Sequence, residues 1–325
     1  KVMAIFENTS RFIFRETLPA VGMARRAVAK IEAQLADADD EIKGLATLLD
    51  RSLPGNVTVE MGLELNAIAS LLADDLELEQ LTLAVRDQAL GDDVQSAWDG
   101  FIERYGFRGP RELDVAAPRY RDAPRMLLEQ LLRLRDLDEA HSPAAVHARC
   151  QRERLAARKR LHEWLRAEHG YFAARRFDSN CELIEALGGL REAHKYFVIY
   201  AIDQVRQLIT ERGAALVAAG RVDEPSQVFD LTIEDLADAD ADLDLRARAA
   251  DRRALHDRLA AVPSLPRVID SRGRIHRGMP RVSDDDDVVL GQPISPGVVR
   301  GVVKVLHTPD EKPLLPGEIL VARAT

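Results

Sequence analysis

Val298-Val299-Arg300-Gly301-Val302-Val303-Lys304-Val305, followed by Glu318-Ile319-Leu320-Val321-Ala322, divides the chain into two textures. Valine-rich runs punctuated by glycine predict strands. Upstream of Pro263 the dominant residues are Leu, Ala, Arg, Glu and Asp, mostly good helix formers, and only 5% of the chain is aromatic. The spacing therefore predicts a mainly α protein, a multi-helix domain over residues 1–262 that gives way to opening β-strands over 288–325. Between them Pro263, Pro266, Gly273, Gly278 and Pro280 predict a linker over 263–287, closing on the solvated acidic run Asp284 to Asp287.

Working back from that boundary, apolar residues recur at helical spacing. Helices are expected from Phe12 to about Leu49 with a break near Leu18-Pro19, and again through Met61, Leu65, Ile68 and Leu72 with Thr58 as N-cap. Further segments run over 79–90, 94–105 and 125–138. Ser142-Pro143, a cap followed by proline at the first helical position, opens a long helix through about Glu168. Others are expected over 181–187, 190–219 and 244–261, with a short one capped by Thr232-Ile233-Glu234-Asp235. Met61, Leu65, Ile68, Leu127, Leu131, Phe197, Ile202 and Leu208 read as core, or in part as the lining of an apolar pocket.

With 325 residues, 46% hydrophobic and 30% charged, the chain can bury a sizeable core. A net charge of -9, with arginines interspersed among acids, argues against a nucleic-acid partner. No apolar run approaches the roughly 20 residues of a membrane helix, so no membrane partner is expected. Two cysteines, Cys150 and Cys181, make neither a disulfide framework nor a zinc site, and a reducing cytoplasm follows as the expected location. The eight histidines show no metal or triad spacing, so no metal site is expected here.

Two stretches carry chemistry. In Tyr105-Gly106-Phe107-Arg108-Gly109-Pro110-Arg111-Glu112-Leu113-Asp114, continuing to Pro118-Arg119, glycines and prolines interrupt any helix while charge is dense. Arg108, Glu112, Asp114 and Arg119 can contact a substrate, or can knit a buried ion-pair network that pins the loop. In Gly188-Gly189-Leu190-Arg191-Glu192-Ala193-His194-Lys195-Tyr196, the cations Arg191 and Lys195 stand four apart, one turn of helix. Such a pair can receive a phosphoryl group, Arg by forked hydrogen bonds and Lys by point charge, or can be two solvated cations.

Three phrases together resemble the phosphoenolpyruvate-utilising enzyme family, in its rifampin phosphotransferase-like branch. They are the Y-G-x-R-G-P-x-E-x-D element at Tyr105–Asp114, the G-x-R-E-x-x-K-Y element at Gly189–Tyr196, and the run Ser295-Pro296-Gly297 leading to Pro316-Gly317-Glu318-Ile319-Leu320-Val321. The resemblance implies an ATP-dependent phosphotransferase that passes a phosphoryl group through a phosphohistidine to a small-molecule acceptor. It implies a swivelling β/α phosphohistidine domain beginning near residue 288, whose histidine, like the ATP and magnesium sites and the ATP-grasp domain, lies outside this chain. Arg191 and Lys195 would be the catalytic pair. A fragment of this kind is expected to be inactive by itself. A phosphoenolpyruvate synthase acting on pyruvate and a non-catalytic helical binding module are the alternatives.

Overall fold

The computed structural model describes residues 2–237, 243–262, 268–276, 298–306, 314, 315 and 317–322. The chain forms two compact units, Lys1–Asp257 and Arg258–Thr325. The first is helical and the described strands lie in the second, so the mainly α expectation with strands near the end holds.

In the first unit, α1 (Val2–Phe12) runs through a π-helical turn, Ile13–Thr17, into α2 (Leu18–Gln34). The break expected at Leu18-Pro19 does not occur. Proline sits in the first turn of α2, where its missing N–H costs little, and the wider π turn ahead of it absorbs the mismatch. Next come α3 (Asp40–Ala46), α4 (Val57–Ala69), α5 (Leu78–Arg86), α6 (Asp92–Tyr105) and α7 (Arg125–Arg135). The cap of α4 is Asn56, whose side chain accepts from the amides of Thr58 and Val59, rather than Thr58 itself.

α8 (Pro143–Leu187) opens as expected on Ser142, which accepts from the Ala145 amide at 3.1 Å. Its helical geometry breaks at Gly170, φ 83° and ψ -177°, a region open essentially to glycine alone. Residues 143–169 and 171–187 fold back on each other there. Arg154 and Arg158 meet Glu185, and His162 meets Asp178 at 3.0 Å. A 3-10 turn, Gly188–Glu192, leads into α9 (Ala193–Ala218). The short α10 (Ile233–Ala237) and α11 (Leu245–Ala260) complete the helices. The Thr232 cap forms as expected, since the Thr232 hydroxyl accepts from the Asp235 amide while the Asp235 carboxylate accepts from Thr232.

Three apolar clusters hold this unit. α2, α3 and the folded α8 bury Ile31, Ile42, Leu161, Leu165, Phe177 and Ile184. α4 to α7 bury Leu65, Ile68, Leu81, Phe101, Leu127 and Leu131. The end of α9 and the start of α11 bury Leu216, Val222, Val228 and Leu245. Of the residues expected in the core, Leu65, Ile68, Leu127 and Leu131 are buried, whereas Met61, Phe197, Ile202 and Leu208 are half-buried.

In the second unit, β1 (Val268–Ile269) and β2 (Ile275–His276) form an antiparallel hairpin inside the stretch expected as a linker. β3 (Val302–Leu306) and β4 (Glu318–Ala322) pair in parallel, Val302 opposite Glu318 and Leu306 opposite Ala322. Lys304 Nζ meets Glu318 Oε2 at 2.6 Å across them. Val302, Val303, Val305, Leu320 and Val321 remain exposed, an apolar strand pair of the kind that is normally covered on both faces. The Ser295-Pro296-Gly297 phrase, Pro316 and the 284–287 acidic run lie outside the described residues.

Candidate functional site: a loop clasped to helix α9

Residues 106–124 cross from α6 to α7 as an ordered loop without helix, as their glycines and prolines predict. The Tyr120 amide donates to the Arg108 carbonyl at 2.9 Å and the Arg121 amide to the Gly106 carbonyl at 3.1 Å, so the loop closes on itself. Its side chains then grip one face of α9. Glu112 Oε1 takes Lys195 Nζ at 2.9 Å. Phe107 packs edge-on against Tyr196 and Tyr200, with ring centroids 5.0 and 5.4 Å away. Arg121 and Arg119 meet Asp203, and Asp122 meets Arg206 at 3.1 Å. Residues 196, 200, 203 and 206 fall about one turn apart along α9, with Lys195 next to the first of them, which makes a single stripe.

The four residues expected to form one network divide into two. Arg108 and Glu112 form a forked pair at 2.5 and 3.1 Å, both side chains at most 10% exposed, and Lys195 adds a third bond. Burial pushes the Glu112 carboxyl up, but the hydrogen bonds from Arg108 and Lys195 outweigh it and hold the group below its ordinary range. Arg119 belongs elsewhere. Its guanidinium is fully buried, 3.8 Å from Asp203 Oδ1, and donates to the Asp114 carbonyl at 3.3 Å. Burial lowers its pKa, with Asp203 opposing. The Asp114 carboxylate is exposed and accepts from the Ala116 amide, so it joins neither cluster.

Arg191 and Lys195 are both exposed. Arg191 stands in the 3-10 turn and Lys195 in the first turn of α9. Lys195 is bound to Glu112, while Arg191 makes no ion pair among the described residues. The turn is set by Gly189, where a Cβ would collide with the Pro54 carbonyl oxygen, so the 53–55 turn lies directly against its backbone. His194, between the two cations, is half-buried. Among the other histidines, His141, His162, His169 and His256 each lie against one aspartate.

Sequence reasoning missed Asp203, Arg121, Arg206 and the aromatic row. Asp203 is 1% exposed, and its only signal was an acid one turn after Ile199 and Tyr200 on α9. The aromatic row continues past Lys195, since Tyr196 packs on Phe197 at 5.5 Å and Phe197 on Phe12 at 4.7 Å. Chemically the site offers two exposed cations, a buried carboxylate that holds one of them, and an aromatic surface alongside. Among the described residues no group of three or more His, Cys, Asp or Glu could hold a metal ion. No helix of the described residues is long and apolar enough to cross a membrane.

Comparison with known proteins places these elements in a family. A model described as the rifampicin phosphotransferase fourth domain matches residues 14–192, just over half the chain. The rifampicin phosphotransferase of Streptomyces sviceus is 30% identical over 302 residues, covering 87% of this chain and 34% of that protein. The Bacillus subtilis protein of the same name is 26% identical over 302 residues, with the same coverage of each. An uncharacterized Mycobacterium tuberculosis protein is 28% identical over 222 residues, 68% of this chain and 22% of that one. The chain thus spans about a third of the length of the rifampicin phosphotransferases it matches. By this match over more than half its length, the chain belongs to the rifampicin phosphotransferase family of phosphotransferases.

Proposed function

We propose that this chain is the accepting part of an ATP-dependent phosphotransferase, in which a phosphoryl group carried on a histidine elsewhere in the protein passes to a small molecule beside Arg191 and Lys195. The observation that carries this reading is the exposed cation pair at the head of α9, braced from below by Glu112. A transferred phosphoryl group spreads negative charge over its oxygens, and prepositioned cations stabilise that charge as it develops. A guanidinium and an ammonium one turn apart supply both forked and point-charge contacts.

The acceptor we propose is bulky and partly apolar, of the rifamycin kind. Behind Lys195 the buried Phe107 backs a row of rings through Tyr196 and Phe197 to Phe12, of which Phe12 is 42% exposed, and Tyr200 beside it is 49% exposed. Aromatic surface of this sort suits a large ring system better than a three-carbon acid. Residues 1–262 would be the acceptor-binding domain, 263–287 the linker, and 288–325 the opening of the swivelling phosphohistidine domain. The apolar, parallel β3–β4 pair fits the start of a β/α sheet. ATP and magnesium would act on the donor side, on an ATP-grasp domain outside this chain, in the cytoplasm.

Titration calorimetry on the chain, with rifampicin and with pyruvate, tests the acceptor. Rifampicin is expected to bind and pyruvate to give no heat, and replacing the exposed Tyr200 by Ala is expected to weaken rifampicin binding roughly tenfold. Binding of pyruvate alone would transfer the reading to a phosphoenolpyruvate synthase. Binding of neither would remove the acceptor assignment.

A further inference from the structure

We propose that Glu112 is a positioning residue for phosphoryl transfer, holding Lys195 in place while Arg108 cancels its charge. The inference rests on the reading of Arg191 and Lys195 given above and adds to it the buried device that aims one of them.

A lysine on a helix surface has four rotatable bonds and spreads its ammonium over many positions. A fixed carboxylate partner removes most of that freedom before the substrate arrives. Glu112 Oε1 lies 2.9 Å from Lys195 Nζ, and its own side chain is only 10% exposed whereas that of Lys195 is 47% exposed. The ammonium is therefore tethered at one donor from the buried side, leaving two donors toward solvent.

A lone carboxylate in that position would defeat the site. It would neutralise Lys195 and repel an incoming phosphoryl dianion. Arg108 removes this conflict. Its guanidinium, 7% exposed, grips both oxygens of Glu112 and serves as the buried counter-charge. Arg108, Lys195 and Arg191 against Glu112 leave a surplus of two positive charges, equal to the charge of a phosphoryl dianion. Phe107 and Tyr196, the residues next to Arg108 and Lys195 in sequence, pack ring to ring and fix the two backbones that carry the triad.

The test uses the full-length protein, phosphorylated beforehand with ATP, and follows a single turnover of transfer to rifampicin. Glu112→Gln keeps the shape and loses the charge. It is expected to slow transfer roughly tenfold at saturating rifampicin with little change in the half-saturating concentration, and Glu112→Asp to recover part of the rate. Arg108→Met leaves Glu112 uncompensated and is expected to be slower still. The pair Arg108→Met with Glu112→Gln buries no unpaired charge, so it should fold where Arg108→Met alone fails. It should transfer faster than Arg108→Met but slower than wild type. Glu112→Gln or the double variant at the wild-type rate, with Lys195→Ala slow, would overturn the positioning role alone. Lys195→Ala at the wild-type rate would overturn the reading on which it rests.

Discussion

Asp235 is 3% exposed, yet its carboxylate takes Arg248 at 2.6 Å, Arg252, and both the amide and hydroxyl of Thr232. The Arg252 bond foremost, with the others, holds its pKa far below the ordinary carboxylate range. A group whose pKa falls on folding stabilises the fold above its unfolded value of about 4, and that stability is lost as pH drops through the folded value. Asp235→Asn is therefore expected to lower the unfolding free energy by about 2–3 kcal/mol at pH 7 in urea titration, and by much less near pH 2. An equal loss at both pH values would show that the charge is not what stabilises. The carboxyl of Glu112 is also held below its ordinary range, so the clasp on α9 should likewise weaken in acid. Cys181 runs the other way. Burial pushes its thiol up to about 12, so it should resist alkylation at pH 8 unless the chain is unfolded.

At the scale of elements, three glycines make a graded series, one at the break in α8, one in the turn ahead of α9 and one inside α2. Gly170 holds a positive φ with nothing near its missing Cβ, so Gly170→Ala should cost about 1–3 kcal/mol through backbone strain. Gly189→Ala should cost more, because the new Cβ meets backbone at Pro54 rather than a side chain that can move. Gly22 sits inside α2 with open space around it, and Gly22→Ala should raise stability by about 0.5–1 kcal/mol. Thermal unfolding of the three variants orders them. The long helix from Ser142 was legible because cap and proline are local signals. The return limb, 171–187, was only partly so, since its apolar face is defined by α2 and α3 rather than by its own sequence. The 106–124 loop was legible as ordered, but its partner was not. The arginines of the loop and the acid at Asp203 are 82 or more residues apart, and only folding brings them together.

On the scale of the whole molecule, two of the three apolar clusters set the helices that converge on the head of α9. α4 to α7 deliver the loop, and the folded α8 delivers the Gly189 turn. Membership of the family follows from residues 14–192 and from the relatives, while the residue roles are proposed from what the loop does to α9. The most direct measurement is the fate of a labelled phosphoryl group in the full-length protein. After loading from labelled ATP, the wild type should pass the label to rifampicin, whereas Arg191→Ala should load at a similar rate and then keep its label, with transfer slowed about a hundredfold or more. Arg191→Ala discharging its label as fast as wild type would contradict the account.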